Sequence, residues 1–400
     1  MEKIIIYLVP AVLISFVLQL ILHEVGHLIG GLITGWKFLY IHVYRIVILR
    51  EDKRLSLMIV KEKGYRCIMY PKSIDTNALI YTMGGCIVNL LSGISGFIIM
   101  IICPLSPVMW LYTWCFVVFG IGMFFMNGIA STKRVCNDKA CYKLLKADKQ
   151  TRKCHNGQLL IAKDLIKGLT YSQIRRDVIC LCPKVATDDI QAYQAILEHY
   201  YHLDTKDLLK VGQALNKIQS KGNISKEIVD ITEMELNYVL LISALIFRVS
   251  DDKNFYCDSC FDYDSDYESN SDIAGKNIVE ENSSKRKVNK NRIDSDIPSE
   301  ITLNLKEIKK AIIAHEKEGD VHSLRVKTVH KAYESLISKD IENNEDHCID
   351  IINKAVKEMK ETSYIYKGEV MFNIGQLLWV KEMIRSIKDK DRRNNIEKAM

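Results

Sequence analysis

The chain has little net charge. Its 400 residues carry 55 Lys and Arg against 49 Asp and Glu, a balance of +6. That mild excess gives no case for a nucleic-acid partner. A disulfide framework is also missing. The 12 cysteines are scattered, and most fall in segments expected in the cytosol, where thiols stay reduced. The apolar N-terminus lacks the marks of a signal peptide: its run is too long, its charged start is only Glu2 and Lys3, and no small-residue cleavage site follows. A retained helix is expected there. No convincing repeat period marks the second half, although helical repeats of the tetratricopeptide kind fit its composition.

What is present divides the chain in two. Residues 1–130 are apolar, and residues 131–400 are charged and helix-favouring. Three runs have the length and low charge of membrane spans, at about 4–33, 78–103 and 108–129. The fourth apolar run, Tyr238 to Phe247, is too short to span and reads as a buried helix. Basic residues crowd two segments: Lys37 to Lys72 between spans one and two, and Lys133 to Lys146 after span three. The link Pro104-Leu105-Ser106-Pro107 has no charge. Three spans put both basic segments on one side, and the positive-inside rule makes that side the cytoplasm. The expectation is a multi-pass cell-membrane protein, N-terminus outside and C-terminal region inside.

Inside the first run lies His23-Glu24-Val25-Gly26-His27. On a helix this pattern sets two imidazoles one turn apart on one face, as two zinc ligands require, with the glutamate beside them as a general base. Ionisable residues in a membrane segment are costly and mark function. His23 lies 19 residues beyond Ile4, roughly 29 Å at 1.5 Å per residue, so it is expected near the cytoplasmic face. Gly26 would let a second backbone approach closely.

A catalytic zinc needs a third protein ligand and an open position. The end of span three offers two, Asp138 and Cys136. Asp138 also reads as a turn residue beside Asn137. Spacing leaves these readings open.

Taken together, the residues resemble the site-2 protease family of intramembrane zinc metalloproteases, over roughly residues 1–145. The likeness rests on His23-Glu24-Val25-Gly26-His27, on Gly84-Gly85-Cys86-Ile87-Val88-Asn89 in span two, and on Asn127 followed by Asn137-Asp138. It implies a three-span α-helical metalloprotease core holding Zn2+ through His23, His27 and Asp138, with Glu24 catalytic and Asn89 and Asn127 binding substrate. The implied substrate is a membrane-spanning or membrane-associated protein or peptide: a regulatory membrane protein, a signal-peptide remnant or a peptide precursor. Three positions depart from the family pattern. Cys86 stands where proline is common, Ala130 where proline is frequent, and Lys139 where glycine is usual. Lys139 would compete for Asp138, which motivates the alternative of a catalytically inactive relative that binds membrane proteins as a scaffold. A transporter fits less well, since no second intramembrane charged cluster exists.

Further readings complete the layout. Ile41–Leu49 and Leu55–Val60 are rich in β-branched residues around a polar turn, and predict a small β-hairpin after span one. Its edge either pairs with an unwound substrate strand or the hairpin packs at the membrane surface; His42 reads as a surface residue. Residues 146–249 and 301–400 are expected as helical cytosolic domains able to recruit protein partners, joined by a flexible acidic and polar linker over 250–300. Gly222-Asn223 predicts a helix break. Cys257 and Cys260 lack a partner pair for a zinc knuckle, and Asp262, Asp264 and Asp266 lack the glycine and glutamate of a calcium loop. His155, His199, His315 and His322 have no ligand spacing.

Overall fold

The computed structural model describes residues 2–51, 54–129, 137–218, 224–249, 320–338 and 344–399. The expectations for Ala130, Cys136, Gly222-Asn223, the 250–300 linker with its Cys257, Cys260, Asp262, Asp264 and Asp266, and His315 lie outside those residues.

Three helices are long and apolar enough to cross a membrane: α1 (Glu2–Ile33), α2 (Leu79–Ile102) and α3 (Pro107–Gly128). Their outer faces carry exposed aliphatic side chains such as Leu13, Ile98 and Val118. The inner face of α1 is different. Ala11, Ser15, Gln19 and His23 recur every fourth residue and are all buried, so they form one column along the helix. The Ser15 hydroxyl donates to the Tyr112 carbonyl of α3 at 3.3 Å. Gln19 Nε2 donates to the Phe116 carbonyl at 3.1 Å, and its Oε1 accepts from Ser92 of α2 at 3.1 Å. Where no water competes, such bonds tie helices together.

Below that column α1 and α2 meet backbone to backbone. A Cβ at Gly26 would collide with the Gly84 carbonyl, and one at Gly84 with the Gly26 carbonyl. Four residues on, a Cβ at Gly30 would stand 2.7 Å from the Ile80 carbonyl. Gly26 and Gly30 thus form a small-xxx-small contact, which lets helices without a hydrophobic driving force pack closely. The approach expected of Gly26 is present.

After Gly35, which takes a left-handed φ of 76°, the chain enters an antiparallel hairpin of β1 (Lys37–Glu51) and β2 (Arg54–Tyr70). Both strands run longer than the apolar pattern indicated, because the alternation of buried and exposed positions continues through polar residues. The register slips between Tyr44 and Ile46, where β2 advances from Gly64 to Ile59 and Tyr44 takes φ 59°. His42 is buried, which corrects its reading as a surface residue. It lies against Gly64, whose missing side chain makes room for the ring.

Asn137 anchors the return to the bundle. Its Nδ2 donates to the Met126 and Ile129 carbonyls at 3.0 and 2.7 Å, holding the end of α3. Its Oδ1 accepts from Ala140 N at 3.1 Å and so caps α4 (Asp138–Ala147). Asp138 is thereby fixed in the first turn of α4 beside α2 and α3.

Beyond α4 stands a helical body: α5 (Lys149–Ile166), α6 (Arg176–Ile179), α7 (Asp189–Asp204), α8 (Leu208–Leu215), α9 (Lys226–Val249), α10 (Val321–Ile337), α11 (Asn344–Glu361) and α12 (Lys367–Ala399). One apolar core draws on Ile161 to Leu245 and on Val321 to Ile387. The Tyr238 to Phe247 run lies within α9, with Tyr238, Leu241, Ile242 and Leu245 buried. The body touches the hairpin through Leu39, Tyr40, Val47, Leu49 and Val60, which pack with Ile166 and Ile365.

Candidate metal centre

His23 and His27 project from the same face of α1, as four-residue spacing dictates. Asp138 reaches them from α4. His23 Nε2 lies 3.2 Å from Asp138 Oδ2, His27 Nε2 lies 3.4 Å from it, and the two Nε2 atoms are 3.3 Å apart. Donors held tetrahedrally at ~2.0–2.1 Å from zinc stand about 3.3–3.4 Å from one another. The three atoms fit that spacing.

Their chemistry points the same way. His27 Nδ1 lies 2.8 Å from the Tyr81 carbonyl. A carbonyl only accepts, so Nδ1 carries the proton and the neutral ring turns the Nε2 lone pair inward. That lone pair then faces a carboxylate oxygen and a second imidazole nitrogen. Electron pairs meeting in this way need a cation or a proton between them. Arg and Lys do not supply it: among the described residues neither forms an ion pair with Asp138. Lys139, the expected competitor, sits with Nζ 5.0 Å from the centre of the Tyr142 ring, a cation–π contact.

Three features of α2 frame the cluster. The Tyr81 carbonyl orients His27, as a partner in the second layer of a metal site does. Gly85 lies flat against both rings: a Cβ there would stand 2.6 Å from His23 Cε1 and 2.6 Å from His27 Nε2. The Cys86 thiol donates to Asp138 Oδ2 at 3.4 Å.

Glu24 is buried at 7% exposure, next in sequence to His23 but outside the cluster of three. Its carboxylate comes close to Cys67 of β2. Burial first, and the Glu24 charge second, push the Cys67 thiol up to about 12. The carboxylate therefore lies between the cluster and the base of the hairpin.

The two expected substrate-binding residues differ. Asn89 is wholly buried one turn beyond Gly85, and neither Oδ1 nor Nδ2 has a hydrogen-bond partner among the described residues. It does not act as glue between helices here. Asn127 is half-buried near the end of α3; it is Asn137, not Asn127, that ties the end of α3 to α4. Tyr81 and the Ser15–Gln19 column escaped the sequence reading, and Gly85 entered it only as part of the span-two motif. The column was visible as a four-residue spacing of polar residues running into His23. The Tyr81 carbonyl left no signal, because a backbone contact does not depend on the side chain.

A second group gathers Cys180, Glu198 and His202 in the helical body. There Lys217 Nζ donates to both Glu198 oxygens at 2.7 Å, so the cluster holds its own cation.

No family model, curated protein or solved structure matches this chain.

Proposed function

We propose that the chain is an intramembrane zinc metalloprotease, the activity implied by its resemblance to the site-2 proteases. The observation that carries the proposal is the convergence of His23 Nε2, His27 Nε2 and Asp138 Oδ2, 3.2–3.4 Å apart, with no Lys or Arg among them. The convergence lies between apolar helices. His23, His27 and Asp138 are the ligands, a set of three that leaves one position open. When bound, zinc acidifies a water molecule and polarises the scissile carbonyl.

The chain's own groups do the rest. Tyr81 holds His27 in the tautomer that presents Nε2. The Glu24 carboxylate takes the proton from the attacking water and delivers it to the leaving amine nitrogen. The free Asn89 amide offers a donor and an acceptor to the backbone of an unwound substrate. The substrate is a membrane-associated protein or peptide. The helical body lies in the cytoplasm, recruits partners, and meets the core through the hairpin.

The reading is tested by metal analysis of the purified full chain, together with a membrane-inserted peptide library scored by mass spectrometry. One zinc per chain is expected, with cleavage that Glu24→Gln abolishes while zinc is retained. Wild-type protein without zinc, or undiminished cleavage by Glu24→Gln, would sink it.

A further inference from the structure

In the helical body Lys217 engages only Glu198 of the Cys180, Glu198 and His202 cluster. Separate contacts hold the other two residues beside it. Gln194, Glu198 and His202 recur every fourth residue of α7 and are all buried, so they form one column along the helix. Gln194 Nε2 donates to the Val178 and Ile179 carbonyls at 3.1 and 2.6 Å, which pins the end of α6 to α7. The chain then turns sharply. Leu181 N donates to the Ile179 carbonyl at 2.9 Å, and Cys180 between them has φ −84° and ψ 54°, an inverse γ-turn. The Leu181 carbonyl accepts in turn from Gln150 Nε2 and from the Cys154 thiol. Cys180 is thereby presented to the column, where each of the three residues brings one donor atom within 4.8 Å of the others.

The lysine leaves the imidazole unserved. His202 is 4% exposed. Its Nδ1 has no hydrogen-bond partner among the described residues, and its Nε2 stands 3.9 Å from Glu198 Oε1, beyond hydrogen-bond reach. Buried polar groups are nearly always paired, and an open one asks for an ion or a water. Lysine carries donors only. Arg176, exposed at the start of α6, stands beside the Cys180 thiol and offers the imidazole no acceptor either. Thiolate, imidazole and carboxylate together are a donor set for zinc. The thiolate makes the set a poor one for calcium or magnesium, which take oxygen.

We propose that Cys180, Glu198 and His202 form an exchangeable zinc site, distinct from that of the bundle, in which Lys217 is the resident cation that the metal displaces. On binding, the thiol releases its proton to solvent. The sulfur, a Glu198 oxygen and one His202 nitrogen then coordinate the ion, and water takes the fourth position. Lys217 keeps its proton and withdraws into solvent. Its side chain is already 22% exposed. Only the side chain has to move, because the Lys217 carbonyl accepts from Ala186 N at 2.8 Å and holds the backbone. Since the lysine already neutralises Glu198, the site fills only as free zinc rises; the zinc expected of the purified chain is that of the bundle. The metal ties the Cys180 turn to α7 where the lysine tied the end of α8, so the helical body answers zinc by exchanging one tie for another. The inference is independent of proteolysis and of the bundle zinc.

The test titrates the purified full chain with cobalt(II), which follows zinc in its choice of donors. The three converging donors of the bundle are nitrogen and oxygen, so a sulfur-to-cobalt charge-transfer band in the near ultraviolet reports the Cys180 site. A band that saturates, and that zinc bleaches, is expected. Cys180→Ser should abolish it. Lys217→Met should bring it on at several-fold less cobalt, with circular dichroism confirming that both variants are folded. Cys180→Ala and Lys217→Gln stand in for either variant that fails to fold. No saturating band in wild-type protein and in Lys217→Met, or a band that survives Cys180→Ser, would overturn the site. An unchanged midpoint for Lys217→Met would overturn the displacement of the lysine.

Discussion

A cluster in the helical body and a cluster in the bundle both combine imidazole with carboxylate, and they balance charge differently. In the helical body Glu235 receives both contacts of Arg325 Nη2, at 2.6 and 2.5 Å, a hydroxyl from Tyr200 at 3.0 Å, and His199 Nε2 at 3.4 Å. The Arg325 guanidinium also lies 4.1 Å from the centre of the Tyr238 ring. That cluster contains its own cation. Between α1, α2 and α4, Asp138 meets two histidines and a thiol, with no Arg or Lys paired to it among the described residues. A buried carboxylate is stable only when its charge is compensated. The helical body compensates with a side chain; at Asp138 no Lys or Arg among the described residues does so.

The sharpest way to break the comparison is to remove the proposed proton carrier beside the bundle cluster and the cation of the one in the helical body. Glu24→Gln should lower cleavage by about 10²–10⁴-fold, the usual range for a general acid–base group, while zinc content measured by mass spectrometry stays unchanged. Arg325→Met should strip the helical body of its compensating charge and cost about 3–5 kcal/mol, because Glu235 is left buried without the guanidinium. Replacing Glu235 and Arg325 together by leucine should cost much less, since no charge is then stranded. Chemical denaturation followed by circular dichroism compares the two; equal losses would contradict the pairing.

The same pair predicts a pH dependence. Burial pushes the Glu235 carboxyl up, but Arg325 and then His199 overcome this and lower it from 4.5 to about 2. A carboxyl depressed in the folded state binds fewer protons than in the unfolded chain. Its contribution to stability is complete above about 4.5 and is lost as the pH falls towards 2. Acid titration of wild-type protein should show this loss, and the double leucine variant should be flatter across that window.

How much of this contrast the sequence disclosed depends on the distance between partners. His23, Glu24 and His27 share one helical turn, so their convergence is a matter of spacing. Asp138 was legible as a candidate only, because its reach depends on Asn137 bonding two carbonyls at the end of α3. The partner of Lys139 was not legible: Tyr142, one turn on, offers its ring to the ammonium. The hairpin was visible in its β-branched runs, but its register was not, because a slip at Tyr44 realigns the strands. Glu235 and Arg325 are 90 residues apart, and no local pattern announces such a pair.

Close packing at the bundle cluster gives the next effect. Gly85→Ala would put a methyl group 2.6 Å from both imidazoles, and the rings must shift to admit it. Zinc affinity, measured by competition with a chromogenic chelator, should fall more than for any substitution of the outward-facing Ile87. Unchanged affinity would mean that the rings are free to move, contrary to the fit of their spacing.

The smallest effect belongs to Cys86, where the chain departs from the pattern of the family it resembles. Its thiol donates to the same Asp138 oxygen that faces the histidines, without being one of the three converging donors. Losing a second-layer partner of this kind typically costs about 10–100-fold in metal affinity. A thiol is a weak donor, so Cys86→Ala should lie at the lower end, about tenfold. Cys86→Ser keeps a donor and should recover most of the loss in the same competition assay. If the thiol only fills space between α2 and α4, serine, being smaller and more polar, should do no better than alanine. The order of the two variants therefore separates a hydrogen bond to Asp138 from simple packing.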